Sequence, residues 1–159
     1  DLNLGNLEKV NIFPKSHSDY YYTSLKMFSN NVMLGIGTKN YRNECKSKIY
    51  KKLNACSTHP HQTYFQLLAE TGIIGTLPVI SILMYFIYSY SLGIIRIYIY
   101  NNKENFTKLK NILSISFIIT LLPLIPTGNF FSSWLSIIYY LPVGFYFFLT
   151  ELSNINEKK

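Results

Sequence analysis

Thr58-His59-Pro60-His61-Gln62-Thr63-Tyr64-Phe65-Gln66-Leu67-Leu68-Ala69-Glu70-Thr71-Gly72-Ile73-Ile74-Gly75 divides the chain. Upstream of it the sequence is mixed and water-compatible, and downstream it is mostly apolar. Proline suits the first position of a helix. The spacing therefore predicts a short amphipathic helix with His59 near its N-cap, His61 in its first turn, Glu70 near its end and Gly72 as its stop. A helix of this kind lies at a membrane interface. From Ile73 to Ile95 the chain is almost wholly apolar, and about 23 residues span a hydrocarbon core of roughly 30 Å. Ionisable groups held at the edge of a bilayer are functional candidates.

Further along, residues 96–110 are polar and carry four Lys/Arg against one Asp/Glu. Residues 111–126 are apolar but short, with Pro123 near the end, and Thr127-Gly128-Asn129 reads as a turn. A third span is expected over 130–150, and 151–159 forms a charged tail. The positive-inside rule makes the short 96–110 loop cytoplasmic, with the tail on the same side. Residues 1–72 and the 127–129 turn then face outward. Only 14% of residues are charged, 48% are hydrophobic, and 14 are tyrosine. Tyrosine favours bilayer interfaces, and the charge is well below that of an average soluble domain. The fold expected is an all-α membrane protein: an outward loop region with short amphipathic helices, then three transmembrane helices. Three helices make a thin bundle, and the first residue is Asp1, so a larger bundle with further spans is expected.

Upstream, residues 1–17 have turn-like composition. Ser18 suits a helix N-cap, and Tyr21, Leu25 and Phe28 mark one apolar face of a helix ending at Ser29-Asn30-Asn31. Leu34-Gly35-Ile36-Gly37-Thr38-Lys39-Asn40-Tyr41-Arg42 follows. Its glycines permit close backbone approach, and Lys39 and Arg42 add charge suited to a phosphate. The spacing fits neither a P-loop nor a dinucleotide fingerprint, and by spacing alone an ordinary glycine turn is preferred. Residues 43–57 read as a solvated basic loop. Cys45 and Cys56 form no C-x-x-C pattern; they are either one disulfide or two unrelated thiols. The net charge of +7 is spread next to apolar spans, with no arginine-rich helix. That suits anionic lipid heads or phosphate-bearing substrates rather than nucleic acid.

A histidine in a helix's first turn is kept neutral by the positive end of the macrodipole, and the same N–H groups welcome a phosphate. A neutral base beside an anion site suits glycosyl transfer from a lipid diphosphate. A cap or structural histidine is the plainer reading of the same spacing. Zinc spacings are not reproduced, no Gly-x-Ser-x-Gly elbow occurs, and few acids lie outside the apolar spans. A non-enzymatic transporter subunit is the alternative from another class. It calls for an ionisable residue within a span, and 73–95, 111–126 and 130–149 contain no Asp, Glu, Lys, Arg or His.

His59-Pro60-His61-Gln62 leading through Leu67-Leu68 to Glu70-Thr71-Gly72-Ile73-Ile74-Gly75 resembles the signature of the O-antigen ligase/polymerase family. There a His-Pro-His-Asn-like start opens a Leu-rich helix, followed by Glu-x-Gly-x-x-Gly and a membrane span. The segment from Leu34 to Tyr41 resembles the family's upstream Gly-x-Gly element. The resemblance covers residues 18–90. It implies a polytopic enzyme of the bacterial inner (cytoplasmic) membrane with its site in a large periplasmic loop. The implied donor is a glycan on undecaprenyl diphosphate. The acceptor is a lipid A–core sugar in the ligases, or another glycan repeat in the polymerases, which are the alternative reading. No metal or other cofactor is implied. His61 takes the place of the family's essential histidine and is the implied general base. Arg42 and Lys39 are the implied diphosphate contacts, and His59, Gln62 and Glu70 shape the substrate site. Two positions depart from the pattern. Gln62 stands where the family has Asn, and Ser18 and Asp19 stand where members often carry an arginine, with Lys15 and His17 nearest.

Overall fold

The structure, a computed structural model, describes residues 15–50, 56–100, 105–123 and 125–157. Residues 1–14 of the lead-in expected over 1–17, parts of the basic loop (51–55) and of the 96–110 loop (101–104), and the end of the tail lie outside them. The described residues form helices and turns, with no strand: α1 (Lys15–Asn30), α2 (Tyr41–Glu44), α3 (Thr63–Tyr98), α4 (Asn105–Thr120) and α5 (Ser133–Glu157). They divide into two compact units. One comprises residues up to Val79 together with Pro123–Ser132; the other comprises Ile80–Leu122 and Ser133 onward.

In the first unit α1 lies against the turns that follow it and the start of α3. Met27, Tyr41, Cys45, Tyr50 and Ala69 form the core, with Ile36 packed on it. The Tyr21 and Phe65 rings stack with centroids 4.4 Å apart. The buried face of α1 differs from the one the apolar spacing marks. Tyr21, Thr23, Ser24 and Met27 are buried, whereas Leu25 and Phe28 are only partly covered. Two hydroxyls can be buried because each finds an acceptor: Thr23 Oγ1 donates to the Tyr50 carbonyl (3.4 Å) and Ser24 Oγ to that of Tyr20 (2.9 Å). The helix also takes in Lys15, Ser16 and His17 of the expected lead-in, so Ser18 lies inside the helix rather than at its N-cap.

Gly72 interrupts α3 with φ 62° and ψ −160°, a conformation essentially reserved for glycine. The helix therefore has a short piece ending at Thr71 and a long apolar piece from Ile73. A break exposes the last carbonyls of one piece and the first amides of the next. The segment after α1 satisfies both sets. Ile36 and Gly37 N–H donate to the Ala69 and Glu70 carbonyls (2.9 and 3.0 Å), and Ile73 and Ile74 N–H donate to those of Val32 and Met33 (2.9 and 3.2 Å). Gly35 enables the approach, since a Cβ there would lie 2.4 Å from the Glu70 carbonyl carbon.

In the second unit α4 packs along α5. Phe86 of α3 meets Phe117 of α4 and Tyr146 of α5, with centroids 4.5 and 5.0 Å away. The Ser89 and Tyr146 hydroxyls share a hydrogen bond. Thr63–Tyr98 and Ser133–Ile155 are long and apolar enough to cross a membrane. Their apolar windows are only 33% and 11% buried, far less than the core helix of a soluble domain would be. Exposed Met84, Ile112, Ile119, Phe147 and Phe148 suit lipid contact. The middle helix, read as 111–126, instead runs from Asn105 to Thr120. Its 16 residues span about 24 Å. It stops short of Pro123, since proline bars the residue before it from helical geometry. α5 starts at Ser133 rather than Phe130, because Phe130 and Phe131 are spent on a turn described below.

Candidate functional site

Gln62, not His59, caps the short piece of α3. The helix starts at Thr63, and Gln62 Oε1 accepts the Phe65 N–H at 2.7 Å while its Nε2 donates to the Pro123 carbonyl at 2.7 Å. A side-chain oxygen bonded to the third helical amide is the usual N-cap arrangement. His61 is thus outside the first turn and adopts a left-handed conformation, φ 57°. The strain of that backbone is held by its surroundings: the His61 carbonyl accepts the Thr127 N–H at 3.0 Å, and its ring Nε2 lies 3.1 Å from Ser57 Oγ.

Three histidines converge here. The His61 ring centroid lies 4.2 Å from that of His59, 6.1 Å from that of His17 and 5.5 Å from that of Tyr20. Thr58 Oγ1 sits 2.9 Å from His59 Nδ1. Burial, and then the like charge of His17, push the His61 pKa below its ordinary 6.5. Burial and His61 push His59 down as well, with the Thr127 backbone opposing. His61 is therefore neutral at pH 7, for a different reason than a helix-start position supplies. Among the described residues no group of His, Cys, Asp and Glu has the arrangement of a metal site.

A polar stripe runs down the short helix at Gln62, Gln66 and Glu70. Gln66 is fully buried; its Nε2 donates to Glu70 Oε2 (3.1 Å) and Asn129 Oδ1 (2.8 Å), and its Oε1 accepts the Phe130 N–H (3.0 Å). Asn129 Oδ1 also accepts the Phe131 N–H at 3.0 Å. The hydroxyls of Thr63 and Thr127 are 2.9 Å apart. Residues 123–132 are thereby tied to the histidine-bearing segment. The sequence reading missed Gln66, Asn129, Ser57 and the grouping of His17 with the others. The i, i+4 spacing of Gln62, Gln66 and Glu70 in an apolar helix was the available signal for Gln66.

Glu70 is 1% exposed. Its Oε1 accepts the Tyr41 N–H at 2.9 Å and so caps α2, where the N-cap residue Asn40 makes no side-chain capping bond. Glu70 thus holds the backbone next to Arg42. Glu70→Ala leaves the Tyr41 amide and one Gln66 donor without their acceptor, an expected cost of about 3 kcal/mol. Glu70→Gln keeps an acceptor for Tyr41 and is expected to cost about 1 kcal/mol. Thermal unfolding of the detergent-purified protein compares the two.

Arg42 is exposed and, with Asn43, Lys46, Cys56, Ser57 and Thr58, lines an open depression of about 360 Å³. Lys39, exposed at φ 59°, is not among its lining residues. Cys45 and Cys56 are joined by a disulfide with Cα atoms 5.3 Å apart, which ties the Cys56–Thr58 wall to the end of α2. Ser57 belongs both to this depression and to the histidine cluster.

Residues 17–80 match the family model described as O-antigen ligase. Neither the curated proteins nor the solved structures include a significant match. The matched stretch contains the three histidines, Ser57, Gly35 and Gly72 with their close backbone approaches, and the Glu70 anchor. Residues 17–80 are thus similar to the O-antigen ligase family, and that match supports reading this stretch as a segment of that type.

Proposed function

We propose that the chain is the site-bearing part of a glycosyltransferase that moves a glycan from undecaprenyl diphosphate to a lipid A–core sugar hydroxyl, at the periplasmic face of a bacterial inner membrane. The observation that carries this reading is Ser57, whose hydroxyl lies 3.1 Å from His61 Nε2 and which lines the depression with Arg42 and Lys46. A neutral imidazole and a cationic recess are thus neighbours, as transfer from a diphosphate requires. His61 Nε2 takes the proton of the acceptor hydroxyl. The acceptor oxygen bonds to the anomeric carbon as the bond from that carbon to the diphosphate oxygen breaks. The diphosphate leaves with the electron pair, and Arg42, with Lys46 beside it, stabilises its charge. Lys39 is assigned to the approach of the donor, His59 to holding the His61 ring, and Gln62 and Glu70 to positioning the segments that bear the site. The reaction needs no metal or other cofactor. The Cys45–Cys56 disulfide fits an oxidising compartment.

The test uses the complete gene in hosts lacking either their own ligase or their own O-antigen polymerase, with lipopolysaccharide resolved on gels. Rescue of the ligase-deficient host is expected. An Arg42→Ala, Lys46→Ala variant is expected to transfer at least about tenfold less glycan at equal membrane level. Rescue of the polymerase-deficient host alone would move the acceptor to a glycan repeat, and rescue of neither would sink the proposal.

The pH dependence follows from the cluster. Only neutral His61 accepts the proton, so kcat/KM is expected to rise with pH through a midpoint below 6.5 and be flat at neutrality. His17→Asn removes a like charge that lowers the His61 pKa, so the midpoint should move upward, toward 6.5. A pH profile of the purified, complete enzyme measures both.

A further inference from the structure

The second unit contains a polar cavity of about 260 Å³ bounded by α3, α4 and α5, with Arg96, Lys110 and Asn111 among its lining residues. Among the described residues no carboxylate lines it. Asn111 is only 8% exposed, and its Nδ2 is buried without a hydrogen-bond partner. A buried amide donor facing no acceptor in a helix bundle is costly. The amide sits where a Cβ on Gly93 would be, 1.8 Å from Asn111 Oδ1, so the absence of a side chain at 93 is what lets the amide reach the cavity wall. Lys110 Nζ is held by Ser153 Oγ at 3.2 Å. Arg96 is in the last turn of α3, at the end of the apolar run. Two cations and an unsatisfied donor with no carboxylate among them make an anion site. Its place beside the last turn of the long apolar helix α3 suits a phosphate at a lipid surface.

We propose that this cavity binds a phosphate group, supplied either by the headgroup of an anionic phospholipid or by free phosphate. Arg96 and Lys110 contribute charge, and Asn111 Nδ2 donates the hydrogen bond it otherwise lacks. The site is separate from the histidine cluster and does not depend on the reaction assigned to it. Each cation near a charged lipid surface contributes a factor of roughly five, so losing both weakens binding about 25-fold.

The complete protein is placed in phosphatidylcholine vesicles doped with photoreactive phosphatidylglycerol, and crosslinked peptides are mapped. Crosslinks within 85–96 and 107–111, outcompeted by phosphatidylglycerol but not by phosphatidylcholine, are expected. The Arg96→Gln, Lys110→Gln variant should lose them, while Lys108→Gln, an exposed lysine outside the cavity, should keep them. In parallel, inorganic phosphate is added to the detergent-purified protein during thermal unfolding. Stabilisation by phosphate without lipid crosslinking assigns the site to free phosphate. Absence of both effects in the wild type, or undiminished crosslinking in a well-folded double variant, overturns the proposal. If the double variant does not reach the membrane, the charge selectivity of the wild-type crosslink decides: equal competition by both lipids overturns it.

Discussion

His61→Asn is expected to reduce glycan transfer by about 10²- to 10⁴-fold, the range that general-base catalysis contributes. Asparagine is the informative replacement. His61 occupies the left-handed region, φ 57°, which asparagine tolerates better than alanine. The carbonyl that receives the Thr127 N–H is unaffected by either change. Asparagine therefore keeps the turn and the link to residues 123–132 while removing the titrating nitrogen. His61→Ala should show the same loss of transfer together with a lower membrane level. His59→Ala discriminates base from neighbour: its ring touches His61 but lies beside Thr58 Oγ1, so a reduction of about tenfold is expected, as for a residue that orients another. Lipopolysaccharide gels of the complemented ligase-deficient host, normalised to membrane protein, report all three. Full rescue by His61→Asn would make the histidine structural and discard the mechanism proposed for it.

The helical class and the split between an upstream region and apolar spans were legible because apolar runs of spanning length have few other uses. The break at Gly72 was legible as well, as a glycine following a helix-length pattern. The position of His61 was not. Proline at a first helical turn is a sound local rule, but Gln62 has a side chain that caps the amide of Phe65, and that bond starts the helix after the histidine. The neutrality of His61 was anticipated from the macrodipole, whereas its cause is burial and a like-charged ring from α1, 44 residues away in sequence (61 − 17). Long-range placements of this kind leave no periodic trace. The same holds for Asn129, read only as part of a turn, which receives the Gln66 amide. Residue chemistry pointed to the stretch that bears the site, and tertiary contacts decided which atoms of it face one another.

Gly72→Ala is expected to be strongly destabilising, costing at least about 3 kcal/mol. Two effects add. The backbone at φ 62°, ψ −160° is open to glycine and strained for any residue with a Cβ, at about 1–3 kcal/mol. A Cβ at this position would also lie 2.5 Å from the carbonyl carbon and oxygen of Met33 and 2.6 Å from the Val32 oxygen. Those are the carbonyls that accept the Ile74 and Ile73 amides, so relieving the clash separates the two donors from their acceptors. Amides left unpaired at the start of this long apolar piece carry a further penalty wherever no water replaces the lost acceptors. Gly37→Ala is the matched control: its φ is 98°, but nothing lies within 4 Å of the added carbon, so only the backbone strain remains. Thermal unfolding of both purified variants separates the terms. If Gly72→Ala melts no lower than Gly37→Ala, the docking of residues 32–37 on the helix break contributes nothing to stability, and the break is merely tolerated. If it melts far lower, the missing side chain at Gly72 is what allows the segment from Val32 to Gly37 to cap both pieces of α3, fixing Glu70 against α2 and, through it, the backbone that carries Arg42.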